Sequence, residues 1–184
     1  MRTTLMTAVG RIDNFVGLAG RVTAWLVLGL VLLVAFNVLL RYVFAVGTVA
    51  SQELEWHFMA VTALIGMSYG INRGDEVRVD ILYADFGPRT KAAVDMLAGV
   101  LTFFVALVFA YLSLAYVAQS YSFQEGSPDP GGLPYRYILK AFLTVGFVLL
   151  ALQAIVQTAR ALVAFLDAGT SDAHQQTSVS PNGE

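Results

Sequence analysis

The residues best equipped for chemistry lie in one short stretch, residues 53–57, which reads Glu-Leu-Glu-Trp-His. Glu53 and His57 are four positions apart, so on a helix they share a face. Carboxylates beside an imidazole can carry protons or hold an ion. Arg41 precedes them across a short connection that contains Gly47, which makes an Arg41–Glu53 ion pair geometrically plausible. The pattern permits a proton or ion site, or a structural clamp. We favour the clamp because transporter ion sites usually lie near the membrane midplane.

Residue content excludes several other kinds of site. The chain has no cysteine, which rules out disulfides, thiolate metal ligands and cysteine nucleophiles. His57 is the only histidine in an apolar run, and the other, His174, lies in a polar tail, so the chain cannot supply two axial ligands to a haem. The sequence contains no phosphate-binding loop, nucleophile elbow or metalloprotease motif, and no basic stripe for nucleic acid. We therefore expect no enzyme activity, no cofactor and no metal site in this chain.

The elements that position these residues are uncharged apolar runs. Hydrophobic residues make up 57% of the chain and charged residues 13%, against about 25% charged in a soluble domain. A membrane helix needs roughly 20 apolar residues. The sequence therefore predicts an all-α integral membrane protein with four transmembrane helices, of which the second is the weakest because it takes in Glu53 and Glu55. The predicted spans are about 22–42, 53–72, 92–120 and 138–164.

The segments before and after the predicted transmembrane domain (residues 22–166) differ in composition. In residues 1–21, apolar side chains recur at spacings of three and four, which predicts an N-terminal amphipathic helix lying in the membrane surface; a frayed basic leader is the alternative. Residues 167–184 are polar, and we expect them to be disordered. The amphipathic stripe consists of Leu5, Val9, Ile12, Val16 and Ala19.

Two connections between the spans carry distinct patterns. Between the second and third spans, Val79, Leu82, Tyr83 and Phe86 form a short apolar face at helical spacing, and Gly87-Pro88 stops it and can start the third helix. The loop 122–136, between the third and fourth spans, is dense in glycine and proline.

Lysine and arginine near the helix ends predict the orientation. Eight of the eleven flank the face that holds both termini: Arg2, Arg11, Arg21, Arg73, Arg78, Arg89, Lys91 and Arg160. The opposite face of the membrane has only three: Arg41, Arg136 and Lys140. We therefore expect both termini in the cytoplasm.

Few polar groups lie within the spans. Asn37, Gln153 and Gln157 are isolated amides, which we interpret as hydrogen-bonding glue between helices, and Gly66 and Gly70 permit a close helix contact. Such a chain is poorly equipped to move a solute by itself, which points to a subunit of a larger assembly. The alternative is a self-sufficient oligomeric channel or small secondary transporter that uses Glu53 and His57.

The chain carries four motifs in this order: residues 40–44, residues 52–57, Gly66 and residues 73–80. Together they resemble the small (Q-type) permease subunit of tripartite ATP-independent periplasmic transporters. In that family an Arg-Tyr pair ends the first helix, Glu-Leu begins the second, and Gly-x-His-x-x-Val-Asp follows the second. Glu76 stands where the family usually has histidine, so the resemblance assigns no role to this position.

The resemblance implies a division of labour. A large (M-type) permease subunit would bind substrate and use the sodium gradient, and a periplasmic solute-binding protein would deliver the substrate. The small subunit would brace the large one in the bacterial inner membrane. Residues 125–137 look like the branch linked to mannitol, chloroaromatic compounds and 2-oxo acids, which suggests an organic acid as substrate. By this analogy, candidate structural or interface residues are Arg41, Glu53, Glu55, Trp56, His57, Arg73 and Asp80.

Overall fold

The computed structural model describes residues 2–75, 83 and 86–178. Four long helices make up this part of the chain, and it contains no strand, so the predicted all-α class is confirmed. Asp80, Glu76, Val79 and Leu82 lie outside the described residues. The helices are α1 (Arg2–Val43), α2 (Val49–Arg73), α3 (Pro88–Ser122) and α4 (Arg136–Ser178).

Three of these helices are long and apolar enough to cross a membrane. They are α1 from Met6, α3 throughout, and α4 as far as Gly169. The helix α2 is not among them, because acidic, imidazole and amide side chains interrupt its 25 residues. Three of the four predicted spans are therefore supported, and the crossing of the membrane by α2 stays a prediction.

The helices pack in a defined order. The pair α1 and α2 run antiparallel, α4 packs on both, and α3 packs mainly on α4. The centre of the bundle is an apolar cluster of Val16, Val61, Ile65 and Leu149. We call the end of the bundle that holds the α1–α2 connection the hairpin end, and the opposite end, which holds both chain termini, the terminal end.

Glycines of α1, and not those of α2, permit the close α1–α2 approach. A Cβ on Gly20 would lie 2.7 Å from the Cβ of Tyr69, and one on Gly29 would lie 3.1 Å from the Phe58 ring. By contrast, a Cβ on Gly66 or Gly70 would meet nothing within 4 Å. The glycine pair that the sequence singled out therefore faces away from the packed side of α2.

The N-terminal segment is helical, as predicted, but it continues into α1 without a break. Its apolar stripe faces protein: Val9 and Val16 are buried, and Ile12 and Ala19 pack at the central cluster. The expected placement of this stripe against the membrane surface is therefore replaced by burial in the bundle. The physical reason is that α2 and α4 offer the same stripe an apolar surface along their length.

The sequence predicts the start of α3 correctly, but it does not predict where α4 ends. Pro88 is the first residue of α3 and Gly87 its N-cap, as the Gly-Pro pair predicts. By contrast, α4 continues to Ser178, past residue 167, where the sequence predicted that disorder begins. Alanine and glutamine in this segment favour helix, and the first proline after α4 begins is Pro181.

Candidate functional site

Glu53 lies in the second turn of α2 and is 5% exposed. One of its carboxylate oxygens accepts a hydrogen bond from the Ser127 hydroxyl. The other accepts one from the Leu133 backbone N–H at 2.6 Å. Both donors belong to the α3–α4 loop (residues 123–135), so a single carboxylate fastens that loop to the start of α2.

The α3–α4 loop is shaped around this contact. A Cβ at position 132 would overlap the Ser127 side chain and lie 2.8 Å from Glu53 Oε2, so only glycine fits there. Gly131 has φ +81°, the left-handed region that glycine enters without strain. The Ser127 N–H also donates to the Leu133 carbonyl at 3.1 Å, which closes the loop on itself.

A second polar cluster joins α3 to α4 at the hairpin end. Lys140 donates to Glu125 at 2.5 Å and lies 3.9 Å from the centre of the Tyr116 ring. The Lys140 hydrogen bond is the main cause that lowers the pKa of Glu125, whose carboxylate lies in the loop outside the membrane-spanning segments. The Arg136 N–H donates to the Glu125 carbonyl at 2.9 Å, so Glu125 fixes both the loop and the first turn of α4.

The expected Arg41–Glu53 ion pair does not form. Glu53 faces the α3–α4 loop, whereas Arg41 is exposed and folds back over Gly47 in the hairpin connection. Glu55 instead links the first two helices, since Asn37 donates to its Oε1 at 2.6 Å and to the Ser51 carbonyl at 3.3 Å. The carboxylate that joins α1 to α2 is thus Glu55.

The remaining predicted residues do not converge on one point. His57 places Nδ1 2.6 Å from the Glu53 carbonyl of its own helix, and its ring lines an apolar cleft of about 210 Å³. Trp56 is exposed, and Arg73 lies 5.9 Å from the Tyr69 ring at the terminal end. The side chains of Glu53, Glu55 and His57 therefore have different partners, and His57 contacts Glu53 only at its backbone carbonyl. In the described part of the chain, no three acidic or histidine side chains are grouped to hold a metal ion.

Sequence reasoning missed Asp13, which ties three helices together at the terminal end. Asn72 at the end of α2 donates to Asp13 Oδ1 at 2.8 Å, and Gln153 of α4 donates to the same oxygen at 3.1 Å. Arg160 forms an ion pair with Oδ2 at 2.7 Å. Asp13 is the only acidic residue before Glu53, a signal that could have marked it within an otherwise apolar and basic segment.

The polar contacts described here join helices and loops to one another. Asn37 and Gln153 bond between helices, and the polar clusters at both ends hold the four helices in register. Between these clusters the bundle is packed with apolar side chains.

Comparison with known proteins gives one family match. The model of the family described as "Tripartite ATP-independent periplasmic transporters, DctQ component" matches residues 30–164, from the middle of α1 to the apolar part of α4. No curated protein matches the chain.

Proposed function

Because this chain belongs to the DctQ family, the small membrane subunit of tripartite ATP-independent periplasmic (TRAP) transporters, we propose that it braces the large permease subunit during solute uptake. In this proposal the large subunit binds the solute, an organic acid, and uses the sodium gradient. A periplasmic binding protein delivers the solute. The family is a transporter component and not an enzyme family.

One observation carries the scaffold role: the three carboxylates of α1 and α2 are hydrogen-bonded to other parts of the bundle. Glu53 binds the α3–α4 loop, Glu55 binds Asn37, and Asp13 binds Asn72, Gln153 and Arg160. A solute path across a membrane needs polar groups that are free to replace water around the solute. A bundle whose carboxylates on α1 and α2 bind its own helices and loop suits a rigid brace.

The outer face of α2 is the surface we assign to the large subunit. The helix is too polar to rank among the membrane-spanning candidates, yet it exposes Trp56, Met59 and Met67 away from α1 and α4. Gly66 lies between them with open space where a side chain would be. A helix of this composition is better covered by protein than by lipid, and small residues permit close approach of a second helix. We therefore propose that α2 crosses the membrane between its own bundle and the large subunit.

The proposed orientation follows the lysine and arginine distribution. Both termini lie in the cytoplasm, and the hairpin end faces the periplasm. The α3–α4 loop, with exposed Phe123 and Tyr135, would then be available to the binding protein. Fastening of this loop by Glu53 supports a docking role, because an ordered loop binds with a smaller loss of entropy.

Reconstitution tests the scaffold role directly. The chain would be coexpressed with the large permease subunit of the same transporter, purified by a tag on this chain, and placed in liposomes with a sodium gradient and the binding protein. We expect the large subunit to copurify and uptake to require all three components. Uptake by this chain alone would contradict the proposal and favour the self-sufficient transporter. In that case Glu53→Gln should change ion dependence while leaving assembly intact.

A further inference from the structure

A cavity of about 350 Å³ opens beside the hairpin between the end of α1 and the start of α2. One side of the cavity is polar and is formed by Arg41, Thr48, Ser51, Gln52 and Glu55. The other side is apolar and comes from consecutive turns of α1. Its side chains include Leu33, Val34, Phe36, Val38 and Leu40. The cavity therefore combines a charged rim with an apolar wall on a membrane-spanning helix.

The polar side of the cavity, which we call the rim, carries one cationic group, Arg41, and one anionic group, Glu55. Part of their hydrogen-bonding capacity is not used within the bundle. Glu55 Oε1 accepts a hydrogen bond from the Asn37 amide, whereas Glu55 Oε2 has no hydrogen-bond partner among the described residues. Arg41 is exposed and forms no ion pair in the part of the chain that the structure describes. The pair can therefore accept a ligand that carries both a cation and an anion.

We propose that this cavity binds the headgroup of a phospholipid that carries a primary amine, with its phosphate at Arg41 and its ammonium at Glu55. Guanidinium and phosphate match in charge and geometry, and an ammonium supplies the N–H donors that a carboxylate accepts. The start of α2, where Thr48 is the N-cap, adds the positive end of a helix dipole to the phosphate side.

The apolar wall selects a lipid over a free zwitterion of the same headgroup. Phe36 is exposed along α1 next to the cavity, in a helix long enough to cross the membrane. Acyl chains can lie against this wall while the headgroup occupies the rim, whereas a water-soluble headgroup gains nothing from it. The proposal depends on the chain being a membrane protein, and is independent of its role as a scaffold.

Native mass spectrometry of the purified chain would test the proposal with lipids of identical acyl chains. Phosphatidylethanolamine would be compared with its mono-, di- and trimethylated forms and with phosphatidylglycerol. We expect retention to fall with each methyl group and to be about tenfold weaker for phosphatidylcholine, the equivalent of one charge-assisted hydrogen bond. Equal retention of the ethanolamine and choline lipids would overturn the proposal, and this comparison needs no variant.

Two variants locate the site. Glu55→Gln keeps the Oε1 acceptor for Asn37 and removes the charge, and Arg41→Gln removes the phosphate partner. Glu55→Gln should abolish the preference for the ethanolamine lipid over the choline lipid, and Arg41→Gln should weaken the retention of all these phospholipids, while the thermal unfolding midpoint changes little in either variant. Asp129→Asn, an exposed carboxylate of the α3–α4 loop, is the matched control and should keep the preference. Unchanged preference in Glu55→Gln together with unchanged retention in Arg41→Gln would place the lipid elsewhere.

A competition experiment shows whether the cavity binds the lipid or only its soluble headgroup. Glycerophosphoethanolamine, which has the headgroup and no acyl chains, should displace the lipid only at concentrations at least about a hundredfold higher, because the apolar wall contributes nothing to its binding. Displacement at similar concentrations would show that the site takes the soluble zwitterion, and would overturn the assignment to a lipid.

Discussion

Glu53 and Asp13 have comparable roles at opposite ends of the bundle. Each is a carboxylate on one helix that accepts two hydrogen bonds from elsewhere in the chain: Glu53 from two residues of the α3–α4 loop, and Asp13 from one residue each of α2 and α4. A carboxylate suits this role because its two oxygens offer about four acceptor sites and no donor. The effect of removing each one depends on what is left unpaired, which makes both roles testable by substitution.

Replacing Glu53 by alanine should loosen the α3–α4 loop. Ser127 and Leu133 lose their shared acceptor, so we expect the Leu133 amide to exchange with deuterium roughly tenfold faster. Hydrogen–deuterium exchange with mass spectrometry measures this in the peptide that contains Leu133. Ser127→Ala removes only one of the two bonds and should give a smaller acceleration. Exchange at the wild-type rate in Glu53→Ala would contradict the proposed fastening of the loop.

Replacing Asp13 by alanine should destabilise the terminal end. Gln153 is 1% exposed, so its amide loses a partner that water cannot replace. We expect a loss of about 1–3 kcal/mol, measured by unfolding in detergent micelles. Arg160→Ala removes only the half-exposed ion pair and should cost about 0.2–1 kcal/mol. Equal effects of the two changes would mean that the ion pair, and not the amides, provides the stability.

The Glu125–Lys140 pair should make stability depend on pH. The Lys140 hydrogen bond lowers the pKa of Glu125 below its ordinary value of 4.5. Its stabilisation is therefore complete above pH 4.5 and is lost as the pH falls through the lower value of the folded state. The gap in unfolding midpoint between wild type and Glu125→Gln should be constant near neutral pH and shrink below pH 4.5. Lys140→Gln should remove the same pH-dependent gap, and a gap that widens in acid would be inconsistent with this pair.

At the scale of the elements, the α1–α2 contact determines the register of the bundle. Gly17 faces Asn72, Gly20 faces Tyr69 and Gly29 faces Phe58, so three glycines of α1 receive three larger side chains of α2 in antiparallel order. This interlock aligns Asp13 with the end of α2 and Asn37 with its start. Both inter-helix polar contacts therefore depend on the glycine spacing of α1.

Alanine substitutions at two glycines of α1 should have opposite effects. At Gly20 the added methyl group collides with Tyr69, and we expect a loss of about 1–3 kcal/mol from overpacking. At Gly10 nothing lies within 4 Å, and the better helix propensity of alanine should stabilise α1 by up to about 1 kcal/mol. Unfolding midpoints of the two variants test the contrast. The same sign at both positions would show that propensity, and not the contact with Tyr69, dominates.

At the scale of the whole molecule, the bundle leaves one face of its least apolar helix open. Helices α1, α3 and α4 expose long apolar surfaces that suit lipid, whereas α2, which is not a membrane-spanning candidate, exposes a shorter face that contains Trp56, Met59 and Met67. This difference between helices is the reason for assigning the large subunit to α2.

Trp56→Ala should weaken the complex without weakening the subunit. Trp56 is 62% exposed in this chain, so its removal should change the unfolding midpoint of the isolated subunit little. A tryptophan at the centre of an interface contributes at least about 2 kcal/mol to binding, and we expect recovery of the large subunit to drop accordingly. Trp25→Ala, on α1 and 73% exposed, is the matched control. A greater loss from Trp25→Ala would place the interface on α1.

Features that depend on neighbouring residues could be predicted from the sequence. Long uncharged runs specify membrane helices because a charge in hydrocarbon is costly, and this holds for α1, α3 and α4. Pro88 marks the start of α3 because proline fits the first turn and lacks the N–H that later turns require. The family resemblance also followed from local motifs around the hairpin, in the matched region 30–164.

The partners of the polar groups, by contrast, depend on how the helices pack and could not be predicted from the sequence. Glu53 binds residues 74 and 80 positions away, and Asp13 binds residues 59 and 140 positions away. Distance along the sequence cannot show which donor a given carboxylate binds, because many donors lie at similar distances along the chain. The stripe through Val9 and Val16 shows the same limit. An apolar face gains similar free energy from lipid or from protein, and only the packing of α2 and α4 determined that protein covers it.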